Sequence, residues 1–195
     1  MEKPSSKPLK KQLLSYFLFE PPPIVTLTYK LSPEEALEKG CIIDIETTGL
    51  DPAYDKIITL GILKRDIAQI HQLTIPAYNT FKLFCLRKTE KTPKPRYAYA
   101  AHFEQEFLGH FKDWRDLTQY VERRGYEWDN PEYDPYYRLR LDECTLTPFQ
   151  EPDIQGREAP AYWETWLQQQ KPKILYAITY HCLCDLLRAR QLIGR

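Results

Sequence analysis

Glycine is scarce, 7 in 195 residues, while proline reaches 16 and tyrosine 14. Long connections in such a chain are expected to be ordered rather than glycine-rich and flexible. Net charge is absent, with 27 Lys and Arg against 27 Asp and Glu, so no global basic field announces a nucleic-acid partner. Cysteine numbers five, an odd count with no disulfide-scaffold pattern. Cys41 and Cys85 lie in apolar runs and read as buried thiols, which fits a reducing, cytoplasmic setting. No hydrophobic run approaches transmembrane length, so no membrane partner is expected. The apolar run after the basic N-terminus, Leu13 to Phe19, is short, broken by Ser15 and followed by Glu20 and three prolines. That makes a poor signal peptide. Internal repeats and low-complexity tracts are absent.

What is present suits one domain with a sizeable core, or one domain with an appendage: 43% hydrophobic and 28% charged residues. Charge is uneven. Lys3, Lys7, Lys10 and Lys11 crowd the N-terminus, and Lys82, Arg87, Lys88, Lys91, Lys94 and Arg96 face only Glu90. An acidic stretch runs from Glu127 to Glu158. A local basic patch can grip a phosphate backbone on a neutral chain, which makes Lys88 and Lys91 candidate nucleic-acid contacts. Solvated loop lysines are the plain alternative.

Residues 1–12 are expected to be disordered, and 12–20 to form a short helix or strand that docks on the domain before Pro21, Pro22 and Pro23. Ser32 as N-cap, Pro33 at the first helical position and Glu35 predict a helix ending near Gly40. Cys41 to Glu46 is a continuous apolar run that reads as a buried strand. Ile57 to Leu63 predicts a second strand and Gln69 to Ile75 a third. Residues 76–88 fit helix or strand equally, and 87–96 form a Lys/Pro loop. Tyr97 to Ala101 predicts a strand. Helices are expected over Phe103 to Phe111, Leu117 to Arg124, Pro160 to Gln170 and Ile174 to Ile193. Residues 126–160, rich in Pro, Tyr and Asp, carry no clear pattern. The sum is an α/β layered domain.

The sharpest feature is Asp44-Ile45-Glu46. Alternate residues of a strand share a face, so two carboxylates leave the end of a hydrophobic strand side by side. Burying both is costly unless something neutralises them. Mg²⁺ or Mn²⁺ would do so through hard oxygen ligands. A strand that simply ends in water is the alternative. Near the C-terminus, His181 and Asp185 are four apart on a predicted helix and share a face. Asp185 is a candidate to complete a metal site, and His181 a general base. A surface i,i+4 pair is the alternative there. Zinc held by His181, Cys182, Cys184 and Asp185 is disfavoured, because adjacent helix positions diverge.

Asp44-Ile45-Glu46-Thr47-Thr48-Gly49-Leu50-Asp51-Pro52, followed by Asp55 and the run Ile57-Ile58-Thr59-Leu60-Gly61, resembles the first motif of DEDD exonucleases of the ribonuclease H-like superfamily. His102-Phe103-Glu104-Gln105-Glu106-Phe107-Leu108 resembles the second motif, and Tyr180-His181-Cys182-Leu183-Cys184-Asp185 the third. Pro152 to Pro160, with Tyr162, Trp163 and Leu167, resembles the segment before the third motif in YprB-type ribonuclease H-like domains, and Arg138 to Leu141 the line before that. The resemblance covers about Cys41 to the C-terminus.

The resemblance implies a ribonuclease H-like mixed central sheet flanked by helices, over residues 31–195, preceded by a partly disordered extension at 1–30. It implies that Asp44, Glu46, Glu104 and Asp185 hold two Mg²⁺ or Mn²⁺ ions, with His181 as base. Thr47, Thr48, Leu50 and Phe103 would meet the terminal nucleotide. The implied activity is 3′–5′ exonucleolytic hydrolysis of single-stranded DNA or RNA. One rival is a catalytically degenerate nucleic-acid-binding module, since Asp is more usual at the place of Glu104. Another is a scaffold subunit with a protein partner docked through residues 1–30 and 126–137. A carboxylate-pair glycosidase leaves His181 without a role.

Overall fold

Cys41-Ile42-Ile43 and Ile57-Ile58 are apolar runs rich in β-branched isoleucine that suit a strand buried on both faces. In the computed structural model they form the two central strands. The structure describes residues 7–18, 20–33, 36–122, 141, 145–146, 148–149 and 152–193. Strands are β1 (Ile24–Lys30), β2 (Cys41–Thr47), β3 (Ile57–Lys64), β4 (Ile67–Leu73), β5 (Arg96–Ala98) and β6 (Trp114–Asp116). Helices are α1 (Lys7–Tyr16), α2 (Tyr78–Glu90), α3 (Ala101–Leu108), α4 (Thr118–Glu122), α5 (Ala159–Gln169) and α6 (Pro172–Leu192).

The six strands form one mixed sheet in the order β1-β4-β3-β2-β5-β6. β1, β4, β3 and β2 are antiparallel neighbours, while β5 and β6 continue from β2 in parallel. The α/β expectation of a mixed sheet flanked by helices is what the structure shows.

α6 lies across β2, β3 and β4. Gly61 permits this approach: a Cβ there would stand 2.5 Å from Cys182 Sγ and 2.9 Å from Leu186 Cδ1. Asp44 is the register partner of Gly61, so Asp44 and Glu46 share the sheet face that looks at α6. Ile62 and Gln69, also paired, face the other way toward Leu83, Phe84 and Lys88 of α2.

Several expectations need correction. Lys7 to Tyr16 is a helix, with Leu9 and Leu13 fully buried, where residues 1–12 were expected to be disordered. Ile24–Lys30 pairs with β4 along its whole length, so the sheet reaches across the expected boundary at residue 30. The helix expected over 32–40 is absent among the described residues there: Pro33 sits in a 3-10 turn and Ala36 to Gly40 is irregular. The N–H groups of Leu31 and Leu37 instead donate to Asp66 and Arg65 carbonyls in the β3–β4 turn, at 2.7 and 2.8 Å. The ambiguous stretch 76–88 is largely helix, α2 running Tyr78–Glu90, so the loop expected over 87–96 begins only at Lys91. β6 had no counterpart in the sequence reading. Arg96, grouped with the phosphate-gripping residues, is buried. It donates to Thr89 and Glu90 carbonyls at the end of α2 and pairs with Asp113. Residues 123–140, including the Tyr/Pro-rich stretch and Arg138 to Arg140, lie outside the described residues.

Candidate metal centre

β2 delivers two carboxyls to one face, and a register shift between Glu46 and Thr47 then ends its regular pairing. The chain turns at once. Thr48 N–H donates to the Lys56 carbonyl at 2.9 Å, and the Thr48 hydroxyl donates to Asp55 at 3.1 Å while accepting from Lys56 N–H at 2.9 Å. The Thr47 hydroxyl donates to the Gly49 carbonyl at 2.5 Å. These bonds fix the turn and leave Leu50 83% exposed at its tip.

α3 begins directly after β5, through Ala100 in the left-handed conformation at φ 58°. Glu104 occupies its first turn and is buried. Phe103 is half-buried and packs on Phe107, ring centroids 5.0 Å apart. On α6, His181 Nε2 stands 3.9 Å from Glu46 Oε1 and 3.6 Å from Asp185 Oδ2.

Two further residues belong here. Asp153, in the irregular segment before α5, has Oδ1 at 3.1 Å from His181 Nδ1 and Oδ2 at 2.7 Å from Arg188 Nη1. The same Arg188 nitrogen is 2.7 Å from Asp185 Oδ1. Sequence reasoning missed both. His181, Asp185 and Arg188 follow a spacing of four and three that defines one helix face, so periodicity could have found Arg188. Asp153 sits in a segment without periodicity. Its only signal was its place within the Pro152–Pro160 resemblance.

The electrostatics are those of acids crowded out of water. Burial, then the nearby Asp185 charge, pushes the Asp44 carboxyl up to about 8. Burial likewise raises Glu46 well above the usual carboxylate range, against the pull of His181, with Asp44 adding to the rise. Burial and Asp44 raise Glu104. Burial opposes a charge on His181, but Glu46, Asp185 and Asp153 outweigh it and hold the imidazole up at about 11. Asp153 goes the other way: burial would raise it, but His181 and Arg188 hold it low.

Candidate ligand atoms of Asp44, Glu46 and Cys182 lie within 4.8 Å of one another, as do those of Asp153, His181 and Asp185. The shared His181 and the mutual influence of Asp44 and Asp185 join the two groups into one centre. Glu104 belongs to neither tight group, yet its neighbours include Asp44 and Glu46. Asp44 Oδ2 and Glu104 Oε2 are buried without a hydrogen-bond partner. Orphaned, hard carboxylate oxygens in such a cluster fit a divalent cation. The Cys184 thiol joins neither group among the described residues, and Cys182 turns to Asp44 rather than to His181.

Lys88 and Lys91 do not join the centre. They line a groove of about 870 Å³ between α2 and the opposite face of β3 and β4, with Lys64, Arg87, Ile62 and Phe84. Charge clustering put them in the sequence reading, and clustering carries no information about which sheet face a helix covers.

Residues 41–195 match the RNase_H_2 family model, described as RNase_H superfamily. The chain belongs to this family. No curated protein matches it. Membership supports a nuclease-type activity on nucleic acid, and the acidic clusters fit the divalent metals that ribonuclease H-like nucleases generally use. Among the described residues of this family member, no helix is long and apolar enough to cross a membrane.

Proposed function

We propose that the chain is a metal-dependent 3′–5′ exonuclease acting on single-stranded DNA or RNA, with a two-ion centre of Mg²⁺ or Mn²⁺. The observation that carries this reading is the meeting of Asp44 and Glu46 with His181 and Asp185 in one partly buried cluster that leaves carboxylate oxygens unpartnered. Asp44, Glu46, Glu104 and Asp185 would hold the metal. When bound, the ions supply Lewis acidity at the phosphoryl oxygens and lower the pKa of a water.

The chain's own residues do the rest. His181 Nε2 faces the acids with no direct hydrogen bond to either neighbour, so it is open to take the proton of an attacking water. The water oxygen forms a bond to phosphorus as its proton passes to His181, the bond from phosphorus to the 3′ oxygen breaks, and the departing oxygen takes up a proton from solvent. In the metal-free protein the surrounding carboxylates keep His181 protonated. With cations held on them, those carboxylates would no longer favour the proton on His181, and the ring could then act as base. Leu50, exposed at the turn tip, would pack on the terminal base, Phe103 would flank it, and the Thr47–Thr48 backbone would position the sugar-phosphate. Lys88 and Lys91 line the groove across the sheet and stand apart from these residues.

The test is a time course on end-labelled single-stranded DNA and RNA with Mg²⁺ or Mn²⁺, beside Asp44→Asn and Asp185→Asn. A ladder shortening from the 3′ end, lost in both variants, is expected. Internal cuts lost in the same variants would replace the exonuclease reading with an endonuclease one. Binding without cleavage would favour the degenerate module, which Glu at position 104 motivates.

A further inference from the structure

His181 has two ring nitrogens and only one can face the acids. A buried carboxylate, Asp153, sits behind the ring at 3.1 Å from Nδ1. It takes the Nδ1–H and leaves Nε2 turned toward Glu46 and Asp185, at 3.9 and 3.6 Å. Those separations are too long for direct hydrogen bonds. They leave Nε2 available to a third group.

Arg188 completes the arrangement. One nitrogen, Nη1, donates to Asp153 Oδ2 and Asp185 Oδ1, both at 2.7 Å. Each carboxylate therefore has one oxygen tied to the guanidinium and one presented to the centre: Asp153 Oδ1 to His181, and Asp185 Oδ2 to the space beside Nε2. Asp153 and Arg188 side chains are 9% and 6% exposed, so water competes little for these bonds. At Gly156, three residues past Asp153, a Cβ would stand 3.3 Å from His181 Nε2. The segment that carries Asp153 thus meets the ring at Nδ1 and, lacking a side chain at Gly156, leaves Nε2 uncrowded.

We propose that Asp153 and Arg188 are positioning residues, a clamp that fixes the orientation of the His181 ring and of the Asp185 carboxylate while touching no substrate. The proposal rests on the nuclease reading for its purpose, though not for its geometry. A carboxylate behind a histidine commonly fixes which ring nitrogen is presented, and loss of such a partner lowers activity about 10- to 100-fold. A buried ion pair that only staples residues 152–156 to α6 would give the same contacts without governing the ring.

The experiment uses full-length protein with ¹⁵N-labelled histidine rings and saturating Mg²⁺. Substitution of His181 by Gln assigns its signals among the four histidines. In the unsubstituted protein a slowly exchanging Nδ1–H resonance is expected. Asp153→Ala should abolish it, and Asp153→Asn should retain it, because the Asn side-chain oxygen still accepts that proton. Near-UV circular dichroism and melting curves establish that each variant is folded. On end-labelled oligonucleotide, Asp153→Ala should lower kcat about 10- to 100-fold with KM nearly unchanged, and Asp153→Asn should recover part of the loss. Arg188→Lys, which keeps the charge and loses the reach to both carboxylates, should lower kcat with the Nδ1–H signal intact. An unchanged ring resonance in folded Asp153→Ala overturns the proposal. So does an Asp153→Asn variant as deficient as Asp153→Ala. If the unsubstituted protein cleaves nothing, the nuclease reading fails, while the ring resonance still decides whether Asp153 governs His181.

Discussion

Burial puts the Asp44 carboxyl at about 8, against an unperturbed 3.8. Between those values the unfolded chain has released a proton that the native state still holds, so native stability falls as pH rises. Glu46 and Glu104, raised by burial, add slopes of the same sign. His181, held at about 11, contributes stability that is complete below its unperturbed 6.5 and is lost as pH climbs through the folded value. The metal-free protein should therefore melt lower at a pH of about 8 than of about 5. Protons and cations compete for the same oxygens, so the gain in Tm on adding Mn²⁺ should widen over that interval. Calorimetry across pH with and without Mn²⁺ checks both, and a flat metal-free profile would refute the electrostatic picture. Asp44→Asn keeps the shape and removes a like charge. It should stabilise the metal-free protein at a pH of about 8 by about 1–2 kcal/mol while abolishing the Mn²⁺ gain. Asp44, Glu46, His181 and Asp185 were legible because strand and helix periods say which side chains share a face. Asp153 was not, since it lies in an irregular segment, which has no such period.

Elements were legible where pattern and packing agree. β2 and β3 read as buried strands and are buried on both faces. The capping signal at Ser32-Pro33 misled because local propensity is weak beside tertiary bonds. Leu31 and Leu37 N–H groups found partners in the β3–β4 turn rather than within a helix. β6 is three residues long, too short for any period to show. The contact of α6 with β3 offers a test of how tightly element packing sets the site. Gly61→Ala would drive a methyl into Cys182 and Leu186 on the turn that carries His181 and Asp185. Overpacking of this kind should cost about 1–3 kcal/mol. Because α6 must shift to relieve it, Mn²⁺ affinity should fall as well. Isothermal titration on the folded variant reads that second effect, and unchanged Mn²⁺ binding would mean that the helix yields without moving its acids.

At the scale of the molecule, the α/β class was legible from apolar strands followed by alternating strands and helices, and the sheet edges were not. β1 extends the sheet where the sequence reading assigned no strand, although Val25, Leu27 and Tyr29 alternate with Thr26, Thr28 and Lys30 in a strand's period of two. Its outer edge presents backbone groups that invite a further strand. α1 answers this with side chains. Gln12 Nε2 donates to the Thr28 carbonyl at 2.8 Å, Gln12 Oε1 accepts from Thr28 N–H at 2.9 Å, and Tyr16 OH donates to the Thr26 carbonyl at 3.0 Å. The amide of Gln12 stands where a neighbouring strand would, and Leu9 and Leu13 anchor the helix in the core. Deleting residues 1–17 should therefore do two separable things. The lost burial of the two leucines should lower stability by several kcal/mol, at about 2–5 kcal/mol for a buried leucine truncated in place. The bared β1 edge should associate, seen as concentration-dependent oligomers in size-exclusion chromatography with light scattering. Gln12→Ala with Tyr16→Phe keeps the leucines and bares only the edge bonds. If that double variant stays monomeric and the deletion does not, association arises from the exposed core rather than from the open strand.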